Sequence, residues 1–291
     1  MKIDYKLSCK DKNNNLSEST DSISYLEFVK ELSFVGINSK SNVLQTICRI
    51  LSIAFDFAPS FVAENFHLHP DLESDPTEKA QFSNKVGRAF AVYLSKRIYK
   101  AKYVYSYECA MENAGLKVKG KRPDYYCNNQ KVSFSVEAKG LSDGSVSCNE
   151  MSKHKNQALS GPLPKAFSVA SVAYNIYDSP KINFFDPESD EVSYDRNLSE
   201  LLRKNYYAGI LKLVESHYFN RSESLDNRFY EYSTYLWPEN FMIVLHKSIV
   251  EKRDFTEKID SFKNDIMFID TDGLGLRIDL DDVNRRIENN K

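Results

Sequence analysis

The sequence predicts a mixed α/β protein, because segments with helical spacing of apolar residues occur together with segments that have strand spacing. Helices are predicted at 41–57, 77–100 and 198–214, where apolar side chains recur every three or four residues. Strands are predicted at 132–139, whose apolar and polar residues alternate strictly, and at 167–176, a mainly apolar run. These elements together indicate the α/β class.

The composition is that of a soluble globular protein. Of the 291 residues, 42% are hydrophobic and 27% are charged, which allows a sizeable core without disulfides or structural metal. The net charge of −2 argues against a basic coat protein for nucleic acid, although local patches of charge still permit nucleic acid as a partner. The five cysteines are odd in number and form no CxxC pair, so neither a secreted disulfide framework nor a zinc knuckle is expected.

The sequence also predicts a cytoplasmic protein with no membrane partner. Residues 1–12 are polar and charged, unlike a signal peptide. No stretch approaches the roughly 20 consecutive apolar residues that span a bilayer. The absence of a disulfide pattern agrees with a reducing compartment.

Three regions are predicted along the chain. Residues 1–76 are expected to be a helical segment that begins with an edge or a polar tail, and 77–193 an α/β core whose long first helix has Thr77 as its N-cap. Residues 194–291 are expected to be an α+β region that packs on the core. That region includes a hairpin about Asp272 and Gly273, and it is the predicted surface for a homodimer or a partner protein.

The strand predicted at 132–139 carries the residues of chemical interest. Alternation places Glu137 and Lys139 on the same face of the strand, two residues apart. The strand before it is predicted at 122–127, and a four-residue turn at 128–131 would set Asp124 opposite Ser135. Glu137 would then be the diagonal neighbour of Asp124, at roughly 7–8 Å.

Two carboxylates and an amine at this spacing suit phosphodiester hydrolysis. Oxygen ligands favour Mg²⁺ or Mn²⁺, cations that also bind phosphate oxygens, so Asp124 and Glu137 are the predicted metal ligands. Lys139 is predicted to stabilise charge on the phosphorane or to orient the nucleophile. Without a cation, the two carboxylates would repel a phosphate, so the cofactor follows from the electrostatics of the site.

This pattern resembles the PD-(D/E)XK, or restriction-endonuclease-like, nuclease superfamily. The matching residues are Pro123 and Asp124, then twelve residues, then Glu137, Ala138 and Lys139. The resemblance covers roughly 77–187. It implies a central mixed β-sheet flanked by helices, a divalent cation, and cleavage of DNA or sometimes RNA in prokaryotic restriction or anti-phage defence.

The resemblance also implies an acidic residue on the first core helix. Glu78 is the first choice for this catalytic role, and Glu108 and Glu112 compete with it. Each of the three has an ordinary alternative, either as a partner of the helix dipole or as an exposed helical side chain.

A polar helix often follows the lysine in this family. Lys153, His154, Lys155 and Gln157 occupy that position. Gln157 is predicted to orient water or to contact a phosphate, and Lys155 to contact nucleic acid, although a solvated helix face is the alternative.

A basic run precedes Asp124. Its sequence, KVKGKR, includes Lys119, Lys121 and Arg122, which are predicted to hold the phosphodiester backbone near the metal. A charge cluster of this kind is also compatible with an ordinary soluble face.

Two other functions stay open at this point. One is a catalytically silent nucleic-acid-binding or scaffold protein that keeps the nuclease fold, and the other is an RNA-directed nuclease. The intact set of Asp124, Glu137 and Lys139 argues against the silent protein. The weaker patterns, a loop pair of His67 and His69 and a hairpin turn at 270–273, are not predicted to bind metal.

Overall fold

The computed structural model describes residues 1–10, 15–62, 66–68, 70–185, 194–224, 226–238 and 241–278. The sequence predictions for His69 and for everything after Ile278 lie outside these residues, as does the predicted boundary at 193. The chain forms two compact units. Unit 1 comprises Met1–Gly36 and Ser60–Leu202, and unit 2 comprises Ile37–Pro59 and the chain from Arg203 onward. This division replaces the three consecutive regions that the sequence predicted.

The helices are α1 (Tyr25–Phe34), α2 (Val43–Val62), α3 (Pro70–Glu73), α4 (Pro76–Tyr99), α5 (Tyr107–Asn113), α6 (Cys148–Leu159) and α7 (Arg196–Val214), and a π-helical turn covers Ser248–Lys252. The first seven strands are β1 (Lys2–Lys10), β2 (Leu16–Ser24), β3 (Tyr103–Ser106), β4 (Tyr125–Asn128), β5 (Ser133–Gly140), β6 (Phe167–Tyr174) and β7 (Lys181–Phe185). The other six are β8 (Phe219–Glu223), β9 (Phe229–Thr234), β10 (Phe241–His246), β11 (Phe262–Lys263), β12 (Met267–Ile269) and β13 (Leu274–Ile278).

Unit 1 is built on a seven-stranded mixed sheet, so the α/β class predicted from the sequence is confirmed. The strand order is β2-β1-β7-β6-β5-β4-β3. The pairs β1–β7 and β5–β6 are parallel, and the other neighbours are antiparallel. Strand β5 therefore lies inside the sheet, with a partner on each side.

The start of the N-terminal segment, predicted as an edge or a polar tail, is a hairpin of β1 and β2 at the edge of this sheet, and the helical part of the segment begins only at α1. In β1, Ile3, Tyr5 and Leu7 are buried, whereas the residues between them are exposed. That alternation is a strand pattern that the sequence already contained. Helix α1 follows directly, and its capping box joins Ser24 and Glu27.

Helices cover both faces of the sheet at β5. On one face, α4 packs so closely that a Cβ on Gly140 would lie 1.7 Å from the carbonyl oxygen of Ser83. On the other face, Ser135 Oγ donates a 2.6 Å hydrogen bond to the carbonyl oxygen of Ala158 in α6. Because successive side chains of a strand point to opposite faces, the odd-numbered residues of β5 face α6 and the even-numbered ones face α4.

Helix α4 begins one residue earlier than predicted. Its N-cap is Asp75 rather than Thr77, and the Asp75 carboxylate accepts hydrogen bonds from the amides of Thr77 and Glu78. Pro76 occupies the first helical turn, where its missing N–H leaves no bond unmade. The helix ends at Tyr99, and Lys100 adopts the left-handed conformation, in agreement with the predicted end near Lys100.

Unit 2 contains a six-stranded antiparallel sheet in the order β11-β12-β13-β10-β9-β8. The predicted hairpin about Asp272 and Gly273 is confirmed, because β12 and β13 pair on either side of them. Asp272 Oδ1 accepts from the amide of Leu274 at 3.1 Å, and Gly273 has a φ of 75°. The acidic pattern at 270–273 is therefore a turn, as predicted.

One described helix, α2, is long and apolar enough by length and composition to span a bilayer. The sequence analysis expected no such stretch. The protein itself buries 44% of the most apolar window of α2, and the same test is passed by core helices of soluble proteins.

Candidate active site

Asp124 immediately precedes β4, beside the part of β5 that carries Glu137. The two strands are antiparallel, and their last pair at this end is Tyr125 with Val136. The amide of Asp124 donates a 3.1 Å hydrogen bond to the carbonyl oxygen of Val136, one position out of that register, so Asp124 and Tyr125 both lie across from Val136 as in a β-bulge. The charge of Asp124 acts on the Glu137 carboxyl, so the two carboxylates lie close together.

The turn between these strands begins one residue later than the predicted 128–131. Asn129 closes it, because its amide donates to the carbonyl oxygen of Val132 at 3.2 Å and its Oδ1 accepts from the amide of Val132 at 2.9 Å. The predicted pairing of Asp124 with Ser135 is therefore wrong by two residues. The shift moves Asp124 along β5, away from Ser135 and towards Glu137.

The Glu137 carboxylate is buried and incompletely bonded. Only 2% of the residue is exposed, and no residue in the described part of the chain forms a hydrogen bond with Oε2. Asp124 is better held, since its Oδ2 accepts a 2.9 Å hydrogen bond from the amide of Ala138. An unpaired buried oxygen normally costs about 1–3 kcal/mol, so its presence in a strand interior requires an explanation.

The charges of Asp124 and Glu137 indicate that this pair would bind a cation. Burial first, and then the charge of Asp124, raise the pKa of Glu137 to about 8, against the opposing effect of the Lys139 charge. A cation between the two carboxylates would remove the repulsion and would give Oε2 a partner. Among the described residues, no cluster of three or more His, Cys, Asp or Glu side chains is in place for a metal. Two carboxylates nonetheless fit Mg²⁺ or Mn²⁺, because Mg²⁺ usually keeps several waters and takes only one or two protein carboxylates.

Lys139 and His154 complete this face of the sheet. Lys139 is half-buried and follows Glu137 by two residues, so its side chain points towards α6. On α6, Met151 and Ala158 are buried, and His154 lies on the stripe between them. Burial and the Lys139 charge lower the pKa of His154, while the Asp124 charge opposes that shift, which places all three groups in one electrostatic environment.

The sequence analysis named His154 among the polar residues after Lys139 but predicted no role for it. It stood among four polar residues of the same helix, and their order alone does not reveal which of them faces the sheet. The spacing of His154 from Met151 and Ala158 was the available signal, because positions three and four residues apart share a helix face.

A cavity of about 420 Å³ borders Asp124. We call it the Asp124 cavity, and its lining consists of Arg88, Ser106, Glu108, Gly120, Lys121, Arg122, Pro123, Asp124 and Gln157. Three of these residues, Lys121, Arg122 and Gln157, were predicted from the sequence to contact substrate. The volume lies within the roughly 300–1,000 Å³ of typical ligand sites.

Arg122 organises one wall of the Asp124 cavity. Its guanidinium donates to the carbonyl oxygen of Gly120 at 2.9 Å and forms an ion pair with Glu108. Gln157 Nε2 donates to the backbone oxygen of Arg122 at 3.4 Å. Glu108 is therefore near Asp124, but its carboxylate is engaged by an arginine. The third acidic candidate, Glu112, is exposed and does not line the cavity.

The structure places Glu78, the first choice for a further catalytic acid, away from Asp124 and Glu137. Glu78 is exposed in the first turn of α4, which covers the face of the sheet opposite to the two carboxylates. It precedes Gly87, a residue in contact with the backbone of Lys139, by nine positions. At 3.6 residues per turn, nine positions correspond to half a rotation, so Glu78 points away from the sheet.

Two predicted nucleic-acid contacts also lie elsewhere. The Lys155 amino group donates to the backbone oxygen of Ser168, which ties this lysine to β6. Lys119 is exposed in the loop before β4 and is not part of the cavity lining.

Arg88 is the lining residue that the sequence analysis missed. Its Nε donates to the hydroxyl of Tyr125 at 2.8 Å, and its guanidinium carbon lies 5.7 Å from the centre of the Tyr125 ring. Tyr125 and, to a smaller extent, Asp124 raise the pKa of Arg88. Nothing in the helical pattern of α4 distinguishes this arginine from the other cations of the helix, so only the packing of α4 on the sheet reveals it.

No family model matches the chain, and neither the curated proteins nor the solved structures include a significant match.

Proposed function

We propose that this protein is a metal-dependent nuclease of the PD-(D/E)XK type that hydrolyses phosphodiester bonds, in the first place those of DNA. The observation that carries the proposal is the proximity of Asp124 to a buried Glu137 whose Oε2 has no hydrogen-bond partner among the described residues. Lys139 follows on the same face, and a cavity lined by three basic side chains borders Asp124.

The architecture supports the same proposal. A mixed sheet with a helix on each face at β5 is the layout that the resemblance implies. The finer assignment to a restriction-endonuclease-like core is part of the proposal. The proposal also includes a role in restriction or anti-phage defence, a cytoplasmic location, and a homodimer or partner surface in the C-terminal region.

The metal ligands, Lys139 and the basic residues of the cavity would each have a separate role in phosphodiester hydrolysis. A bound Mg²⁺ or Mn²⁺ would polarise the phosphate and lower the pKa of an attacking water. Asp124 and Glu137 would hold that cation. The Lys139 ammonium, whose charge acts on Glu137, would stabilise negative charge as the phosphorane forms or would orient the nucleophile. The basic residues of the Asp124 cavity would bind the phosphodiester backbone.

The test is cleavage by the purified protein of duplex DNA, single-stranded DNA and RNA, each with Mg²⁺, Mn²⁺ or EDTA. We expect metal-dependent cleavage of DNA that Asp124→Asn and Lys139→Ala each reduce by at least about 100-fold, since removing one preorganised charge or donor typically costs that much. The matched control is Lys131→Ala, which removes an exposed lysine from the turn of the same hairpin. Cleavage that survives both site variants would overturn the assignment.

The same assay separates the two alternatives. Cleavage of RNA but not DNA would identify an RNA-directed nuclease. Binding of nucleic acid with no cleavage under any metal condition would favour the catalytically silent protein. The unpartnered oxygen of Glu137 favours the catalytic protein, because a bound cation would stabilise the ionised form of a buried carboxylate that lies close to a second one.

A further inference from the structure

We infer that Arg88 binds a second phosphate of the substrate, next to the one that is cleaved, so that the substrate is a polynucleotide strand rather than a mononucleotide or a simple phosphodiester. The inference depends on the proposed function, because it takes the pair of Asp124 and Glu137 as the place of cleavage. It adds a substrate-binding residue that the motif does not include.

The guanidinium of Arg88 has donors left for a ligand. An arginine side chain carries five N–H donors in a rigid plane. In Arg88 the Nε donor bonds the Tyr125 hydroxyl, and none of the described residues accepts a hydrogen bond from the two terminal amino groups. Arg88 is exposed and lines the Asp124 cavity, so these groups are available there.

Tyr125 holds this guanidinium in a fixed place relative to the metal ligands. The tyrosine is completely buried and directly follows Asp124 in the sequence. It anchors Arg88 through its hydroxyl, with the guanidinium carbon 5.7 Å from the ring centre. A guanidinium oriented in this way loses little entropy when it binds a phosphate, which favours a bidentate contact.

The charges of the Asp124 cavity leave two cations available for an anion beyond the cleaved phosphate. Arg122 is paired with Glu108, and Asp124 belongs to the proposed cation. Arg88 and Lys121 then remain, and neither forms an ion pair with a described residue. The metal centre accounts for one phosphate only. Because the phosphates of a strand follow one another at about 3.4 Å of rise, a neighbouring phosphate is the anion that would lie beside Arg88.

The same helix provides a matched control in Arg97. Its guanidinium also bonds a tyrosine hydroxyl, that of Tyr93, and its central carbon also lies 5.7 Å from the ring. Arg97 differs in having a carboxylate partner, Asp21, and in not lining the cavity. Arg97→Ala therefore removes an arginine–tyrosine pair from α4 without removing a cavity donor.

The test measures binding and cleavage separately. Fluorescence anisotropy with a labelled single-stranded 12-mer and its duplex, on an Asp124→Asn background, gives affinity as a function of NaCl concentration. We expect Arg88→Ala to weaken binding and to reduce the slope of log affinity against log salt by about 0.7–0.9, the value for one phosphate contact. Arg97→Ala should leave the slope unchanged. The second arm compares the active protein on the oligonucleotide and on bis(p-nitrophenyl) phosphate, which has no second phosphate. Arg88→Ala should raise KM for the oligonucleotide by a much larger factor than KM for the small diester.

The outcomes are distinguishable from a failure of the proposed function. If the unsubstituted protein shows no metal-dependent cleavage, the nuclease proposal fails, and the salt slopes still report whether Arg88 contacts a phosphate. An unchanged slope in Arg88→Ala, or an equal loss of activity on the oligonucleotide and on the small diester, would overturn the inference about Arg88. Arg88→Gln provides a second variant of similar length should the alanine protein melt at a lower temperature.

Discussion

Replacing Glu137 with glutamine should stabilise the metal-free protein above neutral pH and abolish its response to Mg²⁺. The side chain is 2% exposed and lies close to Asp124. Burial first, and then the Asp124 charge, raise the pKa of Glu137 from 4.5 to about 8. Between these two values the folded protein keeps a proton that the unfolded chain releases. The stability of the metal-free protein must therefore fall as the pH rises through this window.

The magnitude follows from the size of the shift. Each pKa unit corresponds to about 1.4 kcal/mol, so a rise from 4.5 to about 8 sets a ceiling of about 5 kcal/mol on the stability lost by the ionised form. Local relaxation and water entry reduce such penalties, and we expect about 2–4 kcal/mol between pH 5 and pH 8. Glutamine carries no charge and retains a donor for Asp124, so the variant should not show this loss.

The assay is urea unfolding in EDTA at several pH values for the unsubstituted protein and for Glu137→Gln. Glu78→Gln is the control, because it makes the same chemical change at an exposed position. Adding Mg²⁺ at 100 times its dissociation constant should stabilise the unsubstituted protein and Glu78→Gln by about 2.7 kcal/mol, and Glu137→Gln by much less. Parallel pH curves for all three proteins would refute the reasoning, as would an undiminished response of Glu137→Gln to Mg²⁺.

Two further predictions test the geometry without relying on activity. Burial and then the Lys139 charge lower the pKa of His154 below its usual 6.5, while the Asp124 charge opposes this shift. In an NMR titration of the imidazole, the pKa of His154 should therefore rise in Lys139→Met and fall in Asp124→Asn. A His154 pKa that is insensitive to both substitutions would contradict the arrangement. Gly140→Ala would place a Cβ 1.7 Å from the carbonyl oxygen of Ser83, and it should lower stability by about 1–3 kcal/mol or more in thermal unfolding. An unchanged melting temperature would show that α4 does not pack this closely on β5.

The sequence by itself determined the local features of the site. Alternation along β5 placed Glu137 and Lys139 on one face, and the short turn between β4 and β5 kept Asp124 close to Glu137 even though the predicted register was off by two residues. The hairpin about Asp272 and Gly273 was equally predictable, because a turn of this kind is encoded by the residues that form it. Each of these features depends only on neighbours in the chain.

Tertiary structure decided which distant residues join the site. Strand β1 pairs with β7 across more than 170 positions, and no local pattern specifies that partner. Helix α4 covers the face of β5 opposite to Glu137, which removes Glu78 from the site. The same packing brings Arg88 to the Asp124 cavity, and α6 brings His154 to the other face. Helical periodicity shows which side of a helix is apolar, but the packing of the whole core determines which face of the sheet that side covers.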